Sequence, residues 1–129
     1  MILPTTLSMV AAATIINFWL TMRCGKLRGK HGIQVGDGGN DHMQRRMRAQ
    51  ANFIEQTPLT LLLLAAVELA GQGGQWLAPA AGVFMLGRIA HAFGVEGNFK
   101  AGRPIGMLTA MLFQLALVVV AVLTSLGKL

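Results

Sequence analysis

Residues 45–58 have the sequence RRMRAQANFIEQTP, and they continue directly into the apolar run LTLLLL at residues 59–64. In the first stretch, polar side chains recur at spacings of 3, 4 and 3: Arg45, Arg48, Asn52 and Glu55. A helix turns by about 100° per residue, so these side chains fall within an arc of about 80°. A charge at the centre of a bilayer costs about 2.5–3.5 kcal/mol, and less near the interface. A charged face at the mouth of an apolar helix therefore predicts a functional site at the edge of a membrane.

The composition of the whole chain is that of a membrane protein. Of its 129 residues, 53% are hydrophobic and 12% are charged, and the mean hydropathy is +0.56. A soluble domain carries about 25% charged residues, so we expect one polytopic membrane domain over residues 1–129. The net charge of +6 would suggest nucleic acid as the partner of a soluble protein. Here the basic residues lie beside apolar segments, which favours membrane lipids as partners and no nucleic acid.

Four apolar segments predict four membrane-spanning helices. Residues 2–22 contain no charge and are long enough to cross a hydrocarbon core of about 30 Å. They lack a basic start and a cleavage site, so they are expected to be a retained span. The other helices are expected at residues 41–69, with Asn40 or Asp41 as the N-cap, at residues 76–95 and at residues 104–127. The predicted fold class is an all-α membrane protein, a bundle of four transmembrane helices.

The distribution of basic residues predicts the orientation in the membrane. Seven of the eleven Lys and Arg residues lie between Arg23 and Arg48, and Lys100 and Arg103 lie at the same end of the predicted bundle. Lys128 lies at the opposite end. By the positive-inside rule, the loops 1–2 and 3–4 are expected in the cytoplasm and both termini on the other side of the membrane.

Polar side chains of three predicted helices are expected to converge at the cytoplasmic edge of the membrane. They are Arg45, Arg48, Gln50, Asn52 and Glu55 of the second helix, Arg88 and His91 of the third, and Arg103 just before the fourth. Guanidinium groups bind carboxylates through paired hydrogen bonds, and an Asn side chain both donates and accepts. This set predicts a pocket for a small, multiply charged, peptide-like ligand. The alternative is that the basic residues contact lipid head groups, with Glu55 and Arg88 as a structural ion pair.

Other titratable residues give simpler expectations. Arg88 on the third helix needs a partner, and Glu55 at similar depth on the second helix is the best candidate. Glu68, near the end of the second helix, is expected to be a solvated charge at the interface. His31, His42 and His91 lack the spacing of metal ligands, so no metal site is expected.

Three stretches of the chain resemble one family of membrane proteins. RAQANFIEQTPL at residues 48–59, GRIAHAFG at residues 87–94 and GRPIG at residues 102–106 are similar to the membrane-associated proteins in eicosanoid and glutathione metabolism. Within this MAPEG family, the likeness is to the microsomal glutathione transferases, and it covers nearly the whole chain. It implies a homotrimer of four-helix subunits, with glutathione as co-substrate between neighbouring subunits near the cytoplasmic face. The implied activity is a glutathione-dependent transferase or peroxidase that acts on a hydrophobic electrophile or a lipid hydroperoxide.

The resemblance also implies roles for individual residues. Glutathione would be bound by Arg48, Asn52 and Glu55 with support from Gln50, and Lys26 or Arg28 would meet a glutathione carboxylate. Arg103 would be the catalytic residue, stabilising the glutathione thiolate together with the N-terminal end of the fourth helix. Arg45, Arg88 and His91 would complete the polar pocket.

The chain departs from the family pattern at its aromatic positions. It contains no Tyr, whereas family members often have Tyr at the position of Gln56 and at the end of the third helix. Gly106 stands where some members carry their catalytic Arg. An alternative function is therefore a non-catalytic lipid-binding or adaptor protein of the same fold. A proton-coupled drug exporter is disfavoured, because it needs a membrane-embedded carboxylate on its substrate path and the first helix has none.

Overall fold

The computed structural model describes residues 2–129, and they form four α-helices. These are α1 (Pro4–His31), α2 (Asp41–Leu69), α3 (Leu77–Glu96) and α4 (Gly102–Ser125). Residues 2–129 contain no strand, so the predicted all-α fold class is confirmed. The helix α1 continues beyond its apolar residues through the basic segment that follows them. It ends where Gly32 adopts the left-handed conformation with a φ of 64°.

The starts of α2 and α4 follow the capping signals in the sequence. The side chain of Asn40 accepts a hydrogen bond from the backbone N–H of Met43 at 2.9 Å, which confirms Asn40 as the N-cap of α2. Pro104 lies in the first turn of α4, as its position suggested, and the helix begins two residues earlier at Gly102.

Three of the helices, α1, α3 and α4, are long and apolar enough to cross a membrane. The first half of α2 is too polar for that description, and this helix instead packs against all three of the others. Large apolar side chains are exposed on the outward faces of α1 and α4, including those of Leu7, Phe18, Leu112 and Val119. These faces are suited to contact with lipid acyl chains, because a hydrocarbon core offers no hydrogen-bonding partners.

Glu68 lies at the end of α2 and is half-exposed, as expected for an end charge, but it also bonds α1, which the sequence analysis did not predict. Its carboxylate oxygens accept from the backbone N–H groups of Thr5 and Thr6, each at 2.9 Å. These groups belong to the first turn of α1, where backbone N–H groups have no partner within the helix. A carboxylate at this position is also favoured by the helix dipole. The contact forms because α1 begins beside the end of α2.

A buried ion cluster joins α1, α2 and α3 at the opposite end of the bundle. The carboxylate of Glu96, whose side chain is 1% exposed, accepts hydrogen bonds from Arg23 through both oxygens. The Nε atom of Arg46 lies 3.4 Å from Glu96 Oε1, and Arg46 Nη1 donates to the carbonyl oxygen of Arg23 at 2.8 Å. The sequence analysis did not single out this cluster, because residue 96 falls between two predicted helices. With the Glu68 contacts, it shows that loops 1–2 and 3–4 lie at one end of the bundle.

Glycines allow the backbones of α3 and α4 to approach each other closely. A Cβ atom added to Gly106 would lie 2.6 Å from the carbonyl oxygen of Gly87 and would overlap the Cβ of His91. A Cβ added to Gly94 would lie 2.9 Å from the carbonyl carbon of Gly102. Real Cβ atoms do not approach neighbours at these distances, so any larger residue would force the two helices apart. Small residues at helix contacts are a regular means of close packing in membranes.

We therefore expect Gly106→Ala to destabilise the protein by about 1–3 kcal/mol, because the added methyl group overpacks the α3–α4 contact. Gly82→Ala is the matched control, since a Cβ at Gly82 meets nothing within 4 Å. Unfolding in detergent micelles, followed by circular dichroism, measures both changes. Equal stability of the two variants would contradict the close approach of α3 and α4.

Candidate functional site

A cavity of about 480 Å³ lies between α2, α3 and α4, at the end of the bundle where loops 1–2 and 3–4 meet. Its volume is within the usual range of small-molecule sites, about 300–1,000 Å³. The helix α2 contributes Asp41, Gln44, Arg45, Arg48 and Asn52, the end of α3 contributes His91 and Val95, and α4 contributes Arg103 and Met107. Five of the residues expected at the site thus line one cavity: Arg45, Arg48, Asn52, His91 and Arg103.

Three guanidinium groups give the cavity a positive charge. Arg45 Nε donates to Asp41 Oδ2 at 2.9 Å, and Arg48 Nη1 donates to Glu55 Oε1 at 3.1 Å. The side chains of the Arg48–Glu55 pair are 57% and 53% exposed, so water weakens this pair and both groups could exchange to a ligand. The side chain of Arg103 makes no hydrogen bond within residues 2–129. It lies in the first turn of α4, whose N-terminus has no side-chain cap.

Arg88 lies beneath the cavity and connects three helices. It is only 4% exposed. Its Nη1 donates to Asn52 Oδ1 of α2 at 2.7 Å, and its Nη2 donates to the carbonyl oxygen of Gly106 in α4 at 2.6 Å. Its Nε is buried without a partner in residues 2–129. Asn52 thereby has its oxygen fixed by Arg88 and retains its amide N–H groups for a ligand.

The expected ion pair between Glu55 and Arg88 was wrong. Glu55 is exposed and bonds Arg48 of its own helix, whereas Arg88 donates to two uncharged oxygens. Burying a carboxylate requires its removal from water, and this cost often exceeds the gain from pairing. The arrangement avoids that cost by leaving Glu55 at the surface. The sequence placed both residues at similar depth but did not reveal which way each side chain points.

Gln50, Lys26 and Arg28 are not brought to the cavity by this chain alone. Gln50 Nε2 donates to Thr21 Oγ1 of α1 at 2.8 Å, and Arg28 Nη1 donates to the carbonyl oxygen of Gly36 at 2.7 Å. Lys26 is exposed on the extended end of α1. None of these three lines the cavity, which has no wall from α1.

The sequence analysis missed Asp41 and Gln44 as residues of the cavity wall. Both precede the charged face of α2 at helical spacing, because residues 41, 44, 45, 48 and 52 follow one side of a helix. That periodicity was visible in the sequence and would have extended the predicted face by one turn. In residues 2–129, no group of three or more His, Cys, Asp or Glu side chains is placed to hold a metal ion.

The fold and the cavity together define a class: a small helical membrane protein with a cationic, amide-bearing cavity at one end of its bundle. Residues 6–123 match the model of the MAPEG family, so the chain belongs to that family.

The chain is also 30% identical over 83 residues to the inner membrane protein YecN of Escherichia coli K12, and equally to YecN of the O6:H1 strain. The match covers 64% of this chain and 63% of each relative, which is less than two thirds of their length. No solved structure matches the chain significantly. Family membership, the inner-membrane relatives and the apolar helices establish an integral membrane protein.

The contribution of the hydrogen bond between Arg88 and Asn52 to the stability of the protein can be tested by substitution. Asn52→Ala leaves a buried guanidinium without one of its two acceptors. Because hydrogen bonds to charged groups contribute about 1.5–3 kcal/mol, we expect a loss of stability of that size in detergent micelles. The control is Gln50→Ala, which removes a bond between two neutral side chains and should cost about 1 kcal/mol or less. Equal losses would show that Arg88 does not depend on Asn52.

Proposed function

We propose that this protein binds glutathione in the cavity and catalyses its reaction with a hydrophobic electrophile or a lipid hydroperoxide. The observation that supports this most directly is the set of three arginines around one cavity: Arg45, Arg48 and Arg103. Glutathione carries two carboxylates and one ammonium group at neutral pH, so it is an anion that such a cavity attracts. Membership of a family named for glutathione metabolism supports the same ligand.

Each part of glutathione has a candidate partner in the cavity. Arg45 and Arg48 suit its carboxylates, because a guanidinium group can donate two parallel hydrogen bonds to a carboxylate. Asp41 on the wall, or Glu55 at its edge, suits the ammonium group. The free amide N–H groups of Asn52 suit a peptide carbonyl oxygen, and His91 offers a further polar group beside them.

Arg103 is the candidate for activating the thiol. A free thiol has a pKa of about 8.5, and a neighbouring cation or a helix N-terminus lowers it. Arg103 supplies the cation, and the uncapped start of α4 supplies the positive end of a helix dipole. Its guanidinium has no competing bond in residues 2–129, so it is available to pair with the thiolate.

The chemistry that follows from a bound thiolate depends on the second substrate. With a carbon electrophile, the sulfur lone pair forms a C–S bond while the leaving group departs with its electron pair, or an epoxide oxygen takes a proton. With a hydroperoxide, the thiolate attacks the terminal oxygen, the O–O bond breaks and the remaining alkoxide takes a proton. The glutathione sulfenic acid formed then reacts with a second glutathione to give the disulfide and water.

The orientation and the oligomeric state form part of this proposal. The positive-inside rule favours a cytoplasmic position for the two loops beside the cavity, where glutathione would be accessible. A homotrimer is implied by the family resemblance. A neighbouring subunit would offer a way to bring Lys26, Arg28 and Gln50 to the cavity. In this chain Gln50 contacts α1, Arg28 contacts the loop 1–2 and Lys26 is exposed.

The second candidate function is a non-catalytic lipid-binding or adaptor protein. It is favoured by the absence of Tyr from the sequence, which leaves the cavity without phenol groups. A protein of this kind would bind fatty-acid probes and would be indifferent to glutathione. Equilibrium binding of both ligands to the same purified sample therefore separates the two functions.

Stopped-flow absorbance of the thiolate, after the purified protein is mixed with glutathione, tests the proposed enzyme. We expect a saturable rise in the wild type and its loss in Arg103→Ala, because each unit of thiol pKa changes the ratio of thiolate to thiol about tenfold. Asn52→Ala should weaken binding and retain a rise at high glutathione concentration. Lys100→Ala, which removes an exposed charge near Arg103 outside the cavity, is the control and should behave as the wild type. Absence of both a rise and saturable binding in the wild type would exclude the enzyme.

A further inference from the structure

A separate cavity lies between α1 and α2, and it shares no residue with the cationic cavity. The volume of this α1–α2 cavity is about 270 Å³. Its walls are mostly apolar, but α1 contributes Thr14 and Asn17, and α2 contributes Thr57. Asn17 precedes Arg23, the first charged residue of α1, by six residues, a rise of about 9 Å. The α1–α2 cavity therefore lies within the membrane-spanning part of the bundle.

Two polar atoms on the walls of this cavity have no hydrogen-bonding partner in residues 2–129. They are Asn17 Oδ1 and Thr57 Oγ1, and both atoms are buried. Thr57 as a whole is only 1% exposed, so its hydroxyl group does not reach bulk water. A buried polar group without a hydrogen bond destabilises the folded state. Both atoms therefore indicate that the α1–α2 cavity has a polar occupant.

Pro58 adds a third polar group that lacks its usual partner. It lies inside α2 and has no backbone N–H, so the carbonyl oxygen of Ile54 loses its donor within the helix. Both residues line the α1–α2 cavity together with Thr57. Prolines are tolerated in membrane helices where neighbouring helices, side chains or ordered water satisfy the backbone groups that they free. The donor for Ile54 is thus expected from the cavity.

Water matches these groups in chemistry and in size. One water molecule, or two in contact, can donate to the Ile54 carbonyl oxygen and to Asn17 Oδ1 and can accept from the Thr57 hydroxyl group. A hydrocarbon chain can do neither. The cavity is large enough, because one water molecule needs only about 10–15 Å³ of such space. No charged side chain lines it, so nothing there favours an ionic ligand.

A polar contact leads from this cavity towards the loop end of the bundle. Gln50 Nε2 of α2 donates to Thr21 Oγ1 of α1 at 2.8 Å. Gln50 lies one helical turn from Ile54, and Thr21 lies one turn from Asn17, in both cases on the side of the loop 1–2. These polar side chains offer water a path into the cavity along the contact between α1 and α2.

We propose that the α1–α2 cavity binds ordered water inside the membrane, held by Asn17, Thr57 and the carbonyl oxygen of Ile54. The water supplies the hydrogen-bond donor that Pro58 lacks, and it joins α2 to α1 at the proline. This site goes beyond the proposed function, and its occupation requires no glutathione.

Water-edited solid-state NMR of the isotope-labelled protein in phosphatidylcholine bilayers tests the proposal. The method transfers magnetisation from water protons to side chains that are in contact with water. We expect transfer to Thr57 in spite of its burial. Thr109 is the internal reference, because it follows Arg103 by six residues and its hydroxyl group donates to the Gly106 carbonyl oxygen at 3.1 Å. Transfer to Thr57 that is no greater than to Thr109 would overturn the proposal.

Substitutions on the cavity wall locate the water. Asn17→Leu should remove the transfer to Thr57. Thr57→Val should remove the transfer to Asn17 and serves as the second variant if Asn17→Leu does not fold. Pro58→Ala, which restores a backbone N–H, should reduce both transfers. Thr14→Val is the matched control and should keep the wild-type transfers, because the Thr14 hydroxyl group already donates to the Val10 carbonyl oxygen at 2.9 Å.

The same samples distinguish water from other occupants of the cavity. Transfer to Thr57 from the lipid chain protons, without transfer from water, would overturn the proposal, since an acyl chain would then fill the cavity. Transfers from water that survive unchanged in both Asn17→Leu and Thr57→Val would also overturn it. So would a dry wild-type cavity together with a changed oligomer mass of Asn17→Leu in light scattering, because Asn17 would then contact another copy of this chain.

Discussion

The buried guanidinium of Arg88 is the constraint on which the site depends. A cation enclosed by apolar helices must find acceptors, and those available to Arg88 are Asn52 of α2 and the carbonyl oxygen of Gly106 in α4. These bonds hold α2 and α4 at a set distance on either side of α3. They also fix the position of Asn52 in the wall of the cationic cavity.

The close packing of α3 and α4 makes these bonds possible. Gly106 presents its carbonyl oxygen to Arg88 because it has no side chain to keep α3 at a distance. At the loop end, the cluster around Glu96 ties α1 and α2 to α3, and at the other end Glu68 ties α2 to the start of α1. Polar contacts lie near the ends, beside Arg88 and between Gln114, Gln56 and Thr60, while apolar side chains form most of the remaining core. The cavity is thus built on rigid helices, a property that suits precise binding.

Much of the fold and part of the site could be predicted from the sequence. Long uncharged segments and the Asn40 cap specified the helices, because their length and end chemistry are local properties. The periodicity of α2 placed Arg45, Arg48 and Asn52 on one face, and the structure brings that face to the cavity. The partners of Glu55, Glu68 and Glu96 could not be predicted in this way. They depend on the rotation and relative depth of helices distant in the chain, which spacing along one helix does not reveal.

A structure determined in the presence of glutathione tests the central claim most directly. The account predicts density for the tripeptide between α2 and the start of α4, with its carboxylates at arginines and its sulfur beside the guanidinium of Arg103. Density beside Asn52 would also show whether a neighbouring subunit contributes Lys26, Arg28 or Gln50. An empty cavity at saturating glutathione, or a tripeptide bound elsewhere on the protein, would contradict the account.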